Sequence, residues 1–206
     1  MVQKVFAIAE FIYRFVALNV LWVVFCLIGL GIFGIMPATV ALFSVVRQWI
    51  KGEKDIALFT SFFHFYKAEF VRSNLVGAVF VPVFYILYVN VAFVSYFYSE
   101  SVQMYIYIVL ITISCIVIMT FVNVFSVMAH FKFKTLEYIK VAAGLVFLNP
   151  IRAGFQLIWV VAYIFIAIFY PSLFIAIGIS VFAYILMAIN YTVFQKYSLA
   201  KGVKMQ

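Results

Sequence analysis

From residue 103 to residue 129 the chain carries no Asp, Glu, Lys or Arg. A membrane-crossing helix needs about 20 mostly apolar residues, because each rises only about 1.5 Å through a hydrocarbon layer about 30 Å thick. Reading the remaining apolar stretches the same way predicts spans at 15–34, 37–50, 74–98, 103–129, 151–169 and 172–194. The chain is 69% hydrophobic and 10% charged over 206 residues. A chain of that length cannot bury so much apolar surface in water, so lipid must be the solvent around it. The expectation is an all-α membrane protein of six transmembrane helices in one domain, 1–206.

The connections refine this picture. Span 37–50 follows GLGIFGIMP, whose three glycines and Pro37 read as a turn. Pro37 suits the first turn of a helix, where its missing N–H is harmless. That makes the second span short, about 14 residues or roughly 21 Å, so it should thin the bilayer locally. Residues 52–72 put Phe59, Phe62, Phe63, Tyr66 and Phe70 on one stripe, with Thr60, His64 and Lys67 opposite. This is the pattern of an amphipathic helix lying in the interface plane. Residues 1–14, interrupted by Glu10 and Arg14, lack a signal-peptide cleavage pattern and read as a second interfacial helix. A kink is expected at Pro82. Basic segments precede a long span twice, at 52–72 and 130–149, a faint internal repeat.

Charge sets the expected orientation. All 14 Lys and Arg fall in the zones 4–14, 47–72, 132–152 and 196–204, and the other three connections contain none. Six spans bring those four zones to one face, and cytoplasmic loops carry the Lys/Arg excess. A multi-pass protein of the cell (plasma) membrane with both termini cytoplasmic is therefore expected. The net charge of +8 follows from that layout and from attraction to anionic lipid. Spread over membrane-adjacent loops, it does not form a nucleic-acid-binding patch.

Motifs for chemistry are scarce. The carboxylates Glu10, Glu53, Asp55, Glu69, Glu100 and Glu137 are read as lying in termini or loops, which leaves the spans without an acid for proton coupling. His64 and His130 are read as loop residues without metal-ligand spacing, and Cys26 and Cys115 as small core residues. No cofactor or metal site is expected, and a non-enzymatic protein is. The polar residues inside spans, among them Asn19, Thr39, Asn90, Asn123, Ser180 and Asn190, are read mainly as interhelical hydrogen-bonding groups.

Residues 18–77 carry a more specific pattern. Asn19 and Trp22 lie in the first span, then come Gly34, Pro37, Ala38 and Thr39, then Arg47, Trp49, Gly52 and Glu53, with Phe62, Phe63 and Asn74 following. Asn149-Pro150, with Arg152, adds to it. This pattern resembles the YesL-like family of bacterial membrane proteins, a domain of unknown function. Genes of that family in Gram-positive bacteria often neighbour ATP-driven carbohydrate import systems, and some relatives are linked to cell-envelope polymers. The resemblance thus implies an accessory subunit of a carbohydrate ABC importer that contacts permease subunits. The alternative is an independent envelope protein that supports wall-polymer assembly or lipid-linked precursor handling. Gly34, Pro37, Ala38, Thr39, Arg47, Trp49, Gly52, Asn149 and Pro150 are the expected structural or partner-contact residues, none of them catalytic. The chain is not read as the permease: its segment 137–150, EYIKVAAGLVFLNP, lacks the E-A-A…I-x-L-P loop that docks an ATPase.

Overall fold

A computed structural model of the chain describes residues 2–53 and 55–201; Lys54 and the tail beyond 201 lie outside the described residues. Helices α1 (Val2–Ile28), α2 (Ile32–Ile50), α3 (Leu58–Phe97), α4 (Glu100–His130), α5 (Thr135–Leu148) and α6 (Pro150–Phe169) follow in order. A single turn α7 (Pro171–Leu173), a π-helical segment Phe174–Gly178 and α8 (Ile179–Lys201) complete the chain. Among the described residues there is no strand, and six helices are long and apolar enough to cross a membrane. The chain is a multi-pass, all-helical membrane protein.

The second span is the centre of the bundle. It touches α1, α3, α4 and α8. Buried residues make up 72% of its most apolar 18-residue stretch, against 11% to 33% of the corresponding stretches of the other five spans. Its small and β-branched residues explain how four helices approach it: Ala38, Val40, Ala41, Val45 and Val46 are fully buried. The helix is 19 residues, about 28 Å, not 14. It starts at Ile32, before Pro37, so the expected turn shrinks to Gly29, Leu30 and Gly31. Leu30 and Gly31 hold φ at 57° and 73° there. The Gly31 N–H donates to the Cys26 carbonyl at 2.9 Å, tying the turn to the end of α1. Gly29 and Gly34 let the two helices meet. A Cβ on Gly34 would sit 2.4 Å from the Cys26 oxygen, and one on Gly29 2.3 Å from the Gly34 Cα.

With α2 already helical at Ile32, Pro37 lies inside it and cannot donate to the Phe33 carbonyl. Asn74 of α3 supplies the missing donor, its Nδ2 reaching that oxygen at 3.0 Å. α1 runs antiparallel to α2. Phe15 packs on Trp49 at 5.5 Å, and the Trp22 indole N–H donates to the Thr39 hydroxyl at 3.1 Å.

From residue 58 on, the expected interfacial helix 52–72 and the third span are one helix of 40 residues, about 60 Å long. With no break at 72–74, the amphipathic part continues the span and cannot turn to lie flat beside it. One buried line, Phe62, Tyr66, Glu69, Ser73, Val76 and Phe80, runs through the junction at helical spacing. Residues 2–14 likewise run straight on into the first span as part of α1. Segment 130–149 does form a separate helix, α5, so the two basic segments are not structural repeats. α5 docks through Tyr138, Ala142 and Val146. The buried Tyr138 hydroxyl accepts from the Phe133 N–H at 3.1 Å and donates to the Phe131 carbonyl at 3.3 Å.

Two polar locks join distant helices. The π segment loosens the backbone ahead of Ser180, and the Ser180 N–H donates instead to Asn19 Oδ1 of α1 at 3.1 Å. Asn123 of α4, Gln156 of α6 and Asn190 of α8 form a closed amide ring with bonds of 2.9, 2.8 and 2.7 Å. All three are buried.

Beyond this core, α3 and α4 continue as a bare antiparallel pair. Phe80 and Phe84 pack on Phe121. After Phe80 only Val94 of α3 is buried, and no residue of α4 before Met119 is.

Candidate functional site

The motif R-x-W-x-x-G-E ends α2, and the way that helix stops decides where its side chains go. Gly52 takes φ 95°, a left-handed conformation that favours glycine. Its N–H donates to the Trp49 carbonyl at 3.1 Å, and the Glu53 N–H donates to the Gln48 carbonyl at 3.0 Å. The Lys51 N–H takes the Arg47 carbonyl at 3.0 Å. The nested Gly52 and Glu53 bonds terminate the helix and fold Glu53 back beside Arg47 and Lys51.

Those residues wall one side of a cavity of ≈ 410 Å³. The first half of α3 forms the other wall with His64, Glu69 and Arg72, and Lys132 closes it just after α4. Four cations, Arg47, Lys51, Arg72 and Lys132, therefore share the cavity with two carboxylates. Arg47 is 3% exposed and Glu69 4%. Arg72 Nη1 stands 3.3 Å from Glu69 Oε1. Burial, then the Arg47 charge, pushes the Lys51 ammonium below its ordinary range, while Glu53 pulls the other way. Among the described residues no group of three His, Cys, Asp or Glu could hold a metal ion.

The expected residues divide into two groups. Gly34, Pro37, Ala38 and Thr39 join α2 to its neighbours, through the close α1 approach, the Asn74 donor and the Trp22 bond described above. Arg47 and Gly52 build the cavity. Trp49 is 8% exposed and packs on Phe15 just behind it. Asn149 and Pro150 are not brought to this group. They form the corner between α5 and α6, where Pro150 opens α6 and the Asn149 carbonyl accepts from Ala153 at 3.0 Å.

Several terminal or loop assignments change: Glu10, Glu100 and Glu137 lie on α1, α4 and α5. Glu69 is no loop residue: it is buried inside α3, balanced by Arg72. His64 and His130 also sit on helices. His64 lines the cavity, whereas His130 ends α4 fully buried among Phe131, Tyr191 and Phe194, with neither ring nitrogen hydrogen-bonded among the described residues. Sequence reasoning missed Gln156 and the cavity role of Lys132. A glutamine within the apolar span 151–169 was the available signal for the first. Nothing local marked Lys132, because its relevance depends on α3.

Comparison with known proteins places this architecture. Residues 15–91, which include all of α2 and the cavity walls on α2 and α3, match the family described as "Protein of unknown function, DUF624". The chain is 36% identical to uncharacterized protein YteU of Bacillus subtilis (strain 168), over 91% of this chain and 83% of that protein. Two further B. subtilis proteins are similar along most of their length. Uncharacterized protein YesL is 29% identical, with 88% and 85% of the two chains covered, and uncharacterized protein YesV 28%, with 94% and 93% covered. No solved structure matches.

Proposed function

We propose, since the chain belongs to the DUF624 family of YesL-like membrane proteins, that it is a non-enzymatic accessory subunit of a carbohydrate ABC importer. The observation that carries this reading is the bare outer half of the α3–α4 pair, residues 81–118. Most of its side chains, among them Tyr85, Tyr88, Phe93, Tyr105 and Ile111, are exposed. Asn90 and Thr112 are exposed on the same pair, each bonded back to its own helix, to the Ile86 and Ile108 carbonyls at 2.8 Å. A side-chain amide facing hydrocarbon leaves polar atoms unsatisfied, and a neighbouring transmembrane helix relieves that by hydrogen bonding across the contact. In this reading the permease supplies the neighbouring helix. The basic end, with both termini, faces the cytoplasm, as the positive-inside rule requires.

The test is purification of a tagged full-length chain from its native membranes in mild detergent. Permease subunits, identified by mass spectrometry, copurify, and Asn90→Leu/Thr112→Val reduces their recovery without changing the yield of the chain. A clean monomer or homodimer overturns the proposal. The envelope-protein reading gains if deletion then alters wall polymer in medium lacking the transported sugar.

A further inference from the structure

We propose that the cavity between the end of α2, the first half of α3 and Lys132 is a binding site for a phosphate-bearing anion. This does not rest on the importer reading. Its cations come from three separate stretches of chain: Arg47 and Lys51 at the end of α2, Arg72 on α3, and Lys132 after α4. The two carboxylates hold this arrangement together without neutralising it. Glu69 is balanced by Arg72, and Glu53 is turned over the helix end by Gly52. Four cations against two carboxylates give the lining a net positive charge, which suits the negative charge of a phosphate monoester or diester.

Geometry and burial favour phosphate over a general attraction to anions. A guanidinium, as on Arg47 and Arg72, is planar, and its donors suit phosphate oxygens in pairs. At 3% exposure Arg47 is set into the protein beside the cavity, unlike the basic side chains that merely fringe a membrane surface. The cavity volume of ≈ 410 Å³ admits a phosphate with a small organic group attached. One objection is the carboxyl end of α2, where free carbonyls would repel an anion. Those of Arg47, Gln48 and Trp49 are already taken by the Lys51, Glu53 and Gly52 N–H groups.

The same chemistry can arrive from two sources, the headgroup of an anionic lipid or a soluble phosphate ester. Thermal unfolding of the full-length protein in detergent micelles distinguishes them. Chloride is replaced by inorganic phosphate at constant ionic strength in one arm. In the other, the micelles are doped with phosphatidylglycerol or with phosphatidylcholine. A higher midpoint with inorganic phosphate identifies a soluble ester as ligand. A rise with phosphatidylglycerol alone identifies a lipid headgroup. In either case Lys51→Gln and Lys132→Gln weaken the apparent affinity about tenfold each, the loss of one charge-assisted contact. Lys134→Gln, outside the cavity, leaves it unchanged. If one of the two variants does not fold, Arg72→Gln replaces it. Absence of a rise with both probes overturns the proposal. So does an equal loss in all variants including Lys134→Gln, which would reduce the effect to diffuse charge.

Discussion

The ring formed by Asn123, Gln156 and Asn190 gives the sharpest test of how this bundle is held. Asn190→Leu removes the acceptor of the 2.8 Å bond from Gln156 and the donor of the 2.7 Å bond to Asn123. Only the 2.9 Å bond from Asn123 to Gln156 survives. Interhelical hydrogen bonds in membranes are worth about 0.6 kcal/mol each on average, so the two lost bonds account for roughly 1 kcal/mol. The groups left behind cost more. Gln156 Nε2 and Asn123 Oδ1 stay buried without partners, at roughly 1 kcal/mol or more apiece. The expected destabilisation is about 3 kcal/mol. Replacing all three by leucine leaves no orphaned group in the ring, and α4, α6 and α8 then pack as apolar helices. The triple variant should therefore lie within about 1 kcal/mol of the parent and be more stable than the single variant, a strongly non-additive result. Equilibrium unfolding in mixed dodecyl maltoside and SDS micelles, followed by tryptophan fluorescence, measures both. A triple variant that loses more stability than Asn190→Leu would refute the reasoning and show that the ring contributes bond by bond.

Pro37 and Asn74 form a second cycle: Asn74→Leu should cost about 1 kcal/mol by stranding the Phe33 carbonyl, and Pro37→Ala should recover part of it by restoring the N–H. Unfolding of both singles and the double checks this, and a double variant no better than Asn74→Leu contradicts it. Gly34→Ala should abolish monodisperse protein on size exclusion, because its Cβ meets the Cys26 oxygen at 2.4 Å. Gly31→Ala, with nothing within 4 Å, should be destabilised by backbone strain alone, because φ 73° with ψ −86° is a γ-turn conformation that L side chains rarely adopt, and should still give monodisperse protein. In a background without Cys26 and Cys115, cysteine at Ser99 should react with an impermeant reagent on intact cells while cysteine at Lys134 does not; the reverse pattern would invert the orientation.

Much of the membrane architecture was legible in the sequence because hydropathy is a local sum. Six apolar stretches were found, and six helices long enough to cross are present. The misreadings came where composition changed but the backbone did not. Around Ser73 and Asn74 the chain passes from amphipathic to wholly apolar, which suggested two helices. Composition reports the environment of a segment, whereas continuity depends on local breakers, and no Gly or Pro stands there. The opposite error occurred before Pro37. Breakers were present, yet helix resumed at Ile32, because Gly34 tolerates the approach of α1 and Asn74 supplies the absent donor. The candidate site was half legible: R-x-W-x-x-G-E marked one wall, while the wall on α3 and Lys132 had no signature of their own.

Hydropathy, charge placement and the position of glycine and proline, all readable along the chain, determined that this is a helical membrane protein with its positive residues gathered in four zones. Only the tertiary structure decided that α2 lies at the centre and that Glu69 and His130 are buried. It alone joined Asn19 to Ser180 and Asn123 to Gln156 and Asn190. These pairings depend on which helix faces which. That choice is made by packing between residues far apart in sequence, where small side chains allow close approach and each buried polar group must find a partner.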